Sequence, residues 1–139
     1  MDGGVVTFIV SILIVAIFIF VSILLTGKRG HHFNVEFYQV KFLAIENKLQ
    51  PDNPASFTVA IIEADKLLDR AMVEMGAVGK TMGDRLKRTG GRFSDLNGVW
   101  RAHKLRNAIA HEPDFEVGYR QATNALTIYK QALKDLGAI

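Results

Sequence analysis

The stretch VVTFIVSILIVAIFIFVSILL, residues 5–25, runs for 21 residues without a charge, a proline or a glycine, and its only polar members are Thr7, Ser11 and Ser22. At ~1.5 Å of rise per residue, a helix of that length reaches roughly 30 Å, the thickness of a bilayer's hydrocarbon core. Other readings fit less well. A secretory signal peptide carries a positive n-region, a shorter apolar core and a small-residue cleavage site. Here the lead-in is Met1-Asp2-Gly3-Gly4, and Ile23-Leu24-Leu25-Thr26 offers no such site. A helix lying on the bilayer surface needs a charged face, and a soluble core helix is seldom so long and uniform. The run is therefore expected to be a single membrane-spanning anchor over residues 1–27. A basic juxtamembrane linker over 28–33 and a cytoplasmic helical domain over 34–139 follow it.

Charge sets the expected orientation. All 17 lysines and arginines follow the apolar run, with Lys28 and Arg29 directly against it. By the positive-inside rule the N-terminus lies outside and the C-terminal domain in the cytoplasm, a single pass through the cell or inner membrane. No ionisable residue interrupts the span, which argues against an ion or proton path. Ser11 and Ser22 can return their hydroxyls to helix carbonyls and need no functional explanation.

The roughly 110 residues after the anchor suffice for one small domain with one core. The absence of cysteine removes disulfides, thiolate zinc sites and thiol catalysis. Asp2 is the one acidic residue before the run, which leaves 13 of the 14 acids against all 17 basic residues beyond it, a net of +4. Such an excess suits anionic lipid or nucleic acid. It is concentrated between Lys80 and Arg106, where Lys80, Arg85, Lys87, Arg88, Arg92, Arg101, Lys104 and Arg106 face only Asp84 and Asp95. There is no Walker loop, dinucleotide fingerprint or His-Glu-x-x-His, so no metal or cofactor is expected. His31 and His32 have no further ligands nearby and belong at the membrane interface.

Beyond the linker the apolar spacing is helical. Val35, Tyr38, Phe42, Ile45 and Leu49 recur at three and four and predict a helix ending before Pro51, with Phe33, Phe37 and Val40 as a second apolar edge against core or lipid. After the Pro51–Pro54 turn, Asn53 or Ser56 can cap a helix whose stripe is Phe57, Ala60, Ile61, Ala64, Leu67, Leu68, Ala71 and Met75. Its other face, Glu63, Asp65, Lys66, Asp69 and Arg70, reads as solvated, and Gly76 and Gly79 end it. A short helix fits residues 81–88 before the Gly90-Gly91 break. Ser94 or Asp95 then caps a third long helix reaching His111 or Glu112, stopped by Pro113. A fourth is predicted from Asp114, with Phe115, Tyr119, Ala122, Leu126, Tyr129, Leu133 and Leu136 on its core stripe. The expected fold class is all-α: an N-terminal transmembrane helix followed by an up-down four-helix bundle.

Near the end of the third helix the chain reads Lys104-Leu105-Arg106-Asn107-Ala108-Ile109-Ala110-His111-Glu112-Pro113. His103, Asn107 and His111 stand at i, i+4 and i+8 with Arg106 beside the row, while Ala102, Leu105 and Ile109 face the core. Arginine holds phosphate oxygens in a fixed fork. Histidine exchanges protons near neutral pH. RNA supplies its own nucleophile, the 2′-hydroxyl, so an Arg–His pair can cleave it without metal. In that scheme His111 moves the proton and Arg106 stabilises transition-state charge. Blander roles compete. His111 can cap the helix C-terminus, and Arg106 can pair with Glu112 or with an acid of the second helix. His103 is expected at the surface or an interface, Trp100 in the core or a dimer interface, and Tyr119 and Tyr129 in the core. Glu63 and Asp69 are available to orient the pair.

The arrangement Arg106-Asn107-x-x-x-His111, late in the third helix of a four-helix bundle, resembles the R-x4–6-H signature of HEPN domains over roughly residues 35–136. The resemblance implies a homodimer whose third helices meet over an RNA cleft. It also implies metal-independent endoribonuclease activity by Arg106, Asn107 and His111, in toxin–antitoxin, phage-defence or RNA-processing settings, with protein partners such as an antitoxin. Lys104, Arg101, His103, Arg92 and Arg88 are the expected RNA contacts. Inactive members of the family serve as binding modules, and the alternative is thus a membrane-tethered module that dimerises and binds RNA or protein. A third reading is a structural subunit whose aromatic first helix (Phe33, Phe37, Tyr38, Phe42) packs on a larger complex.

Overall fold

A computed structural model of the chain describes residues 3–26 and 32–139, and of residues 23–26 the backbone alone. Lys28 and Arg29, on which the expected orientation rests, lie outside the described residues, as do Asp2 and His31. Over the described residues the protein is all-helical. Six α-helices follow one another: α1 (Gly3–Thr26), α2 (Val35–Lys48), α3 (Pro54–Glu74), α4 (Met82–Thr89), α5 (Leu96–His111) and α6 (Tyr119–Leu136), with one 3-10 turn at Gly90–Arg92. The chain divides into two units, residues 1–31 and 32–139.

In the first unit, α1 is long and apolar enough from Gly3 to Ser22 to cross a membrane. Through residue 21 its side chains are exposed, Phe18 to 73%. A helix that is apolar on every face finds a stable surrounding in a protein core or in lipid. Thr7 and Ser11 return their hydroxyls to the carbonyls of Gly3 and Thr7, at 2.6 and 2.8 Å, so neither leaves a polar group to be solvated.

In the second unit α3 is the hub and packs against α2, α4, α5 and α6. Its buried positions come as adjacent pairs one turn apart: Ala60 and Ile61, Ala64 and Asp65, Leu67 and Leu68, Ala71 and Met72. That band is wider than the single stripe of a surface helix, because α3 has neighbours on more than one side. Alanines at three of these turns let the partner helices come close. Tyr38, Phe42 and Ile45 of α2 and Ala122, Leu126, Tyr129 and Leu133 of α6 complete the core.

Polar links fix the register of these helices. Tyr38 Oη donates to Glu74 at 2.6 Å, and Lys130 joins α6 to Glu46 of α2 at 2.9 Å. Burial, followed by the Glu74 hydrogen bond, pushes the Tyr38 phenol well above its ordinary range, so it acts as a donor. Arg85 clamps α4 to α3, with Nε and Nη2 each 2.7 Å from Asp69 and Nη1 2.7 Å from the Gly79 carbonyl.

The helix ends carry local signals. Asn34 and Asp95 accept the Phe37 and Gly98 amides, and Thr81 and Asp84 form a reciprocal capping box. α3 ends at Gly76, whose φ of 87° is open to a residue without a Cβ. There the Ala77 amide bonds back to the Met72 carbonyl and the Gly76 amide to that of Val73. Asn53 occupies the N-cap position of α3 without a side-chain bond, and Ser56 instead ties the preceding turn through Gln50 and Asn53.

Two expectations about α6 need correction. The helix starts at Tyr119, not at Asp114. Pro113 and Asp114 form a turn, and the chain is irregular from there to Gly118, with Val117 buried. The Gly118 amide is taken by the Gln121 side chain at 2.9 Å, which sets the helix start. Tyr119 is off the core stripe at 42% exposure and leans on Phe57 from outside.

Ser94 and Asp135 join the start of α5 to the end of α6, with the Ser94 amide and hydroxyl both 2.7 Å from Asp135 Oδ2. Burial alone would raise the Asp135 pKa, but the donors from Ser94 and Gln131 outweigh it and hold the carboxyl below its ordinary value. A depressed folded-state pKa adds stability above the unfolded value of about 3.9, and this is lost as pH falls through the folded value. Asp135→Asn is therefore expected to lower the urea midpoint at pH 7 and to leave it unchanged near pH 2. Equal losses at both would contradict this.

Candidate functional site

Asp65 is the centre of the site. It sits mid-way along α3, 3% exposed, and the expectation that it lies on a solvated face is wrong. Its Oδ1 accepts from Tyr129 Oη of α6 at 2.9 Å and from His103 Nδ1 of α5 at 2.9 Å. Its Oδ2 lies 3.3 Å from Arg106 Nε. That last contact is an ion pair without a hydrogen bond: the buried Nε–H is not aimed at the carboxylate and has no acceptor. Arg106 Nη1 instead donates to Asn107 Oδ1 at 3.0 Å, and Asn107 Nδ2 stands 3.3 Å from His103 Nε2. Asp65, His103, Asn107 and Arg106 thus close a ring of polar contacts.

Donor and acceptor roles around this ring are mutually consistent. A carboxylate oxygen accepts, so His103 Nδ1 is the donor, and the Asn107 amide facing Nε2 gives that nitrogen the acceptor role. Asn107, with its oxygen toward Arg106, presents its amide donors to the Nε2 lone pair. Burial, then the Asp65 charge and hydrogen bond, pushes the Tyr129 phenol far above its ordinary range, so Tyr129 remains a donor. The histidine expected at the surface or an interface is 8% exposed, because α3 brings Asp65 against it. Arg106 does pair with an acid of α3, as one of the sequence readings allowed.

This ring floors a groove of about 710 Å³ between α3, α4 and α5. Lys66, Lys80, Lys87 and Lys104 stand on its rim, all exposed, and among the described residues none of their ammonium groups is hydrogen-bonded, although Lys87 is near enough to Asp84 to help lower its pKa. The acids in the groove are otherwise engaged. Asp69 is held by Arg85, and Thr81 keeps Asp84 in the capping box and below the ordinary carboxylate range. The surplus of charge facing the groove is therefore positive. Trp100 forms part of the wall, its ring edge 3.6 Å from where a Cβ on Gly83 would stand and its centroid 6.2 Å from that of His103.

The groove gathers Arg106, Asn107, His103 and Lys104 from the expected set. The others lie elsewhere. His111 is exposed on the last turn of α5 and is not part of the groove lining. Arg101 is exposed and lies 3.6 Å from Asp95, while Arg88 and Arg92 line a separate depression beside the Gly76 turn and are not part of the groove lining. Glu63 bonds Lys48, and Asp69 bonds Arg85, and neither is bonded to Arg106 or His111, the pair they were expected to orient. Sequence reasoning missed Asp65, Tyr129 and Lys66. A carboxylate one position from the alanine stripe, at Ala64-Asp65, was the available signal. No family model, curated protein or solved structure matches this chain.

Proposed function

We propose that the chain is a membrane-anchored RNA-cleaving protein of the HEPN type. In this reading α1 spans the membrane, and α2, α3, α5 and α6 form the HEPN-like bundle on the cytoplasmic side. Two copies meet through α5 around an RNA cleft. Arg106 stabilises charge on the scissile phosphate, Asn107 positions it, and a histidine of α5 moves the proton, His111 being the one the HEPN resemblance assigns. The observation that carries the reading is an Arg–Asn pair held on the floor of a lysine-rimmed groove. A groove whose lining carries more cations than acids attracts a phosphate backbone, and an arginine fixed from behind by a carboxylate keeps its outer nitrogens in place for phosphate oxygens.

The test is to incubate the full chain in lipid nanodiscs with labelled mixed-sequence RNA in EDTA. Cleavage leaving cyclic-phosphate ends is expected, and Arg106→Ala should lower the rate by about 100-fold or more. Equal cleavage by both proteins would overturn the reading. One observation favours a second reading, a tethered RNA-binding module without catalysis: both nitrogens of His103 are engaged within the fold, and His111 stands apart from the groove. RNA binding that weakens steeply with salt, with no cleavage, would select it.

A further inference from the structure

His103 is held as a proton-transferring imidazole is held. A buried carboxylate takes Nδ1–H at 2.9 Å, which fixes both tautomer and ring orientation and leaves the Nε2 lone pair on the side of the groove lining. Helix geometry separates it from His111. Three residues before Arg106, His103 is about 60° round the helix from it and ~4.5 Å along the axis. Five residues after Arg106, His111 is about 140° round and ~7.5 Å along. His103 and Arg106 share one carboxylate and one groove, whereas His111 shares neither.

We propose, resting on the ribonuclease reading above, that His103 and not His111 carries the proton in RNA cleavage, with Asp65 as its positioning residue. The Asn107 amide, 3.3 Å from Nε2 and thus at a long hydrogen-bond distance, gives way to the substrate's 2′-hydroxyl. Nε2 takes the 2′-hydroxyl proton as the 2′-oxygen bonds to the adjacent phosphorus. The bond from phosphorus to the 5′-oxygen breaks, and the same proton passes to that oxygen. The products are a 2′,3′-cyclic phosphate and a 5′-hydroxyl, with no change in oxidation state. Asp65 faces the imidazolium while it exists, and Arg106 faces the phosphate.

The experiment compares wild type, His103→Gln and His111→Ala as full chains in nanodiscs. It reads cleavage of a labelled RNA in EDTA and, separately, the Kd for the all-2′-deoxy version of the same oligonucleotide, which has no nucleophile. Glutamine is polar and close in size to the imidazole but cannot shuttle a proton. His103→Gln should lose about 100-fold or more in rate with Kd nearly unchanged, and should lose far more than His111→Ala. Near-wild-type cleavage by His103→Gln would overturn the assignment. So would loss of cleavage in His111→Ala, an exposed position whose substitution does not threaten the fold. Either result leaves the ribonuclease reading standing. A wild type that cleaves nothing removes both.

Discussion

Asp65→Ala is expected to destabilise the helical domain by about 3–5 kcal/mol, the usual cost of stripping one partner from a buried charged network. Three groups depend on that carboxylate. Tyr129 Oη and His103 Nδ1 both bond Oδ1, and the Arg106 guanidinium has its charge balanced by Oδ2. Alanine takes the carboxylate away from all three. Arg106 can move part-way to solvent, but Tyr129 is fully buried and cannot follow. Tyr129→Phe is the matching control: it removes a single donor, the carboxylate keeps its other partners, and a loss of ~1 kcal/mol is expected. Urea unfolding of the full chain in micelles, followed by far-UV circular dichroism, measures both. A loss below about 1 kcal/mol for Asp65→Ala would mean that the network is solvated and does not hold α3, α5 and α6 together.

Leu68→Ala is expected to cost about 2–5 kcal/mol. Leu68 is fully buried at the hub helix, so truncation leaves a cavity walled by several helices, none of which can close it alone. Leu43→Ala on α2 is the comparison. Leu43 is 56% exposed, and its truncation should change stability by no more than about 0.5 kcal/mol. The same two-variant unfolding experiment decides it, and equal losses would show that α3 is not the centre of the core.

These residues mark how far the chain could be read before folding. The end of α2 before Pro51, the end of α3 at Gly76, the Asp95 cap of α5 and the stop before Pro113 all follow from local chemistry carried by one or two residues. The inner face of α5 was legible as well, since Ala102, Leu105 and Ile109 do face the core. The start of α6 was not. Phe115 keeps a helical interval with Tyr119, yet Val117 is buried from an irregular segment and Gln121 claims the Gly118 amide.

The site divides in the same way. Arg106 and Asn107 stood out because two polar groups late in an amphipathic helix ask for partners, and their spacing is enough to place them on one face. Asp65 did not stand out, because on one helix viewed alone it belongs to a charged face with Glu63, Lys66 and Asp69. Glu63, Lys66 and Asp69 stay at or near solvent, while Asp65 is buried.

Short-range chemistry along the chain thus accounts for an apolar run long enough to cross a bilayer, the helical character of the described residues, several helix ends, and a basic segment leading to an Arg–Asn pair. These follow from interactions within a few residues of backbone. Tertiary structure alone decided that α3 is surrounded, that Asp65 thereby enters the core, and that one carboxylate joins residues 38, 41 and 64 positions away. Helical periodicity records how wide an apolar face is, but not which polar neighbour at its edge a second helix will cover.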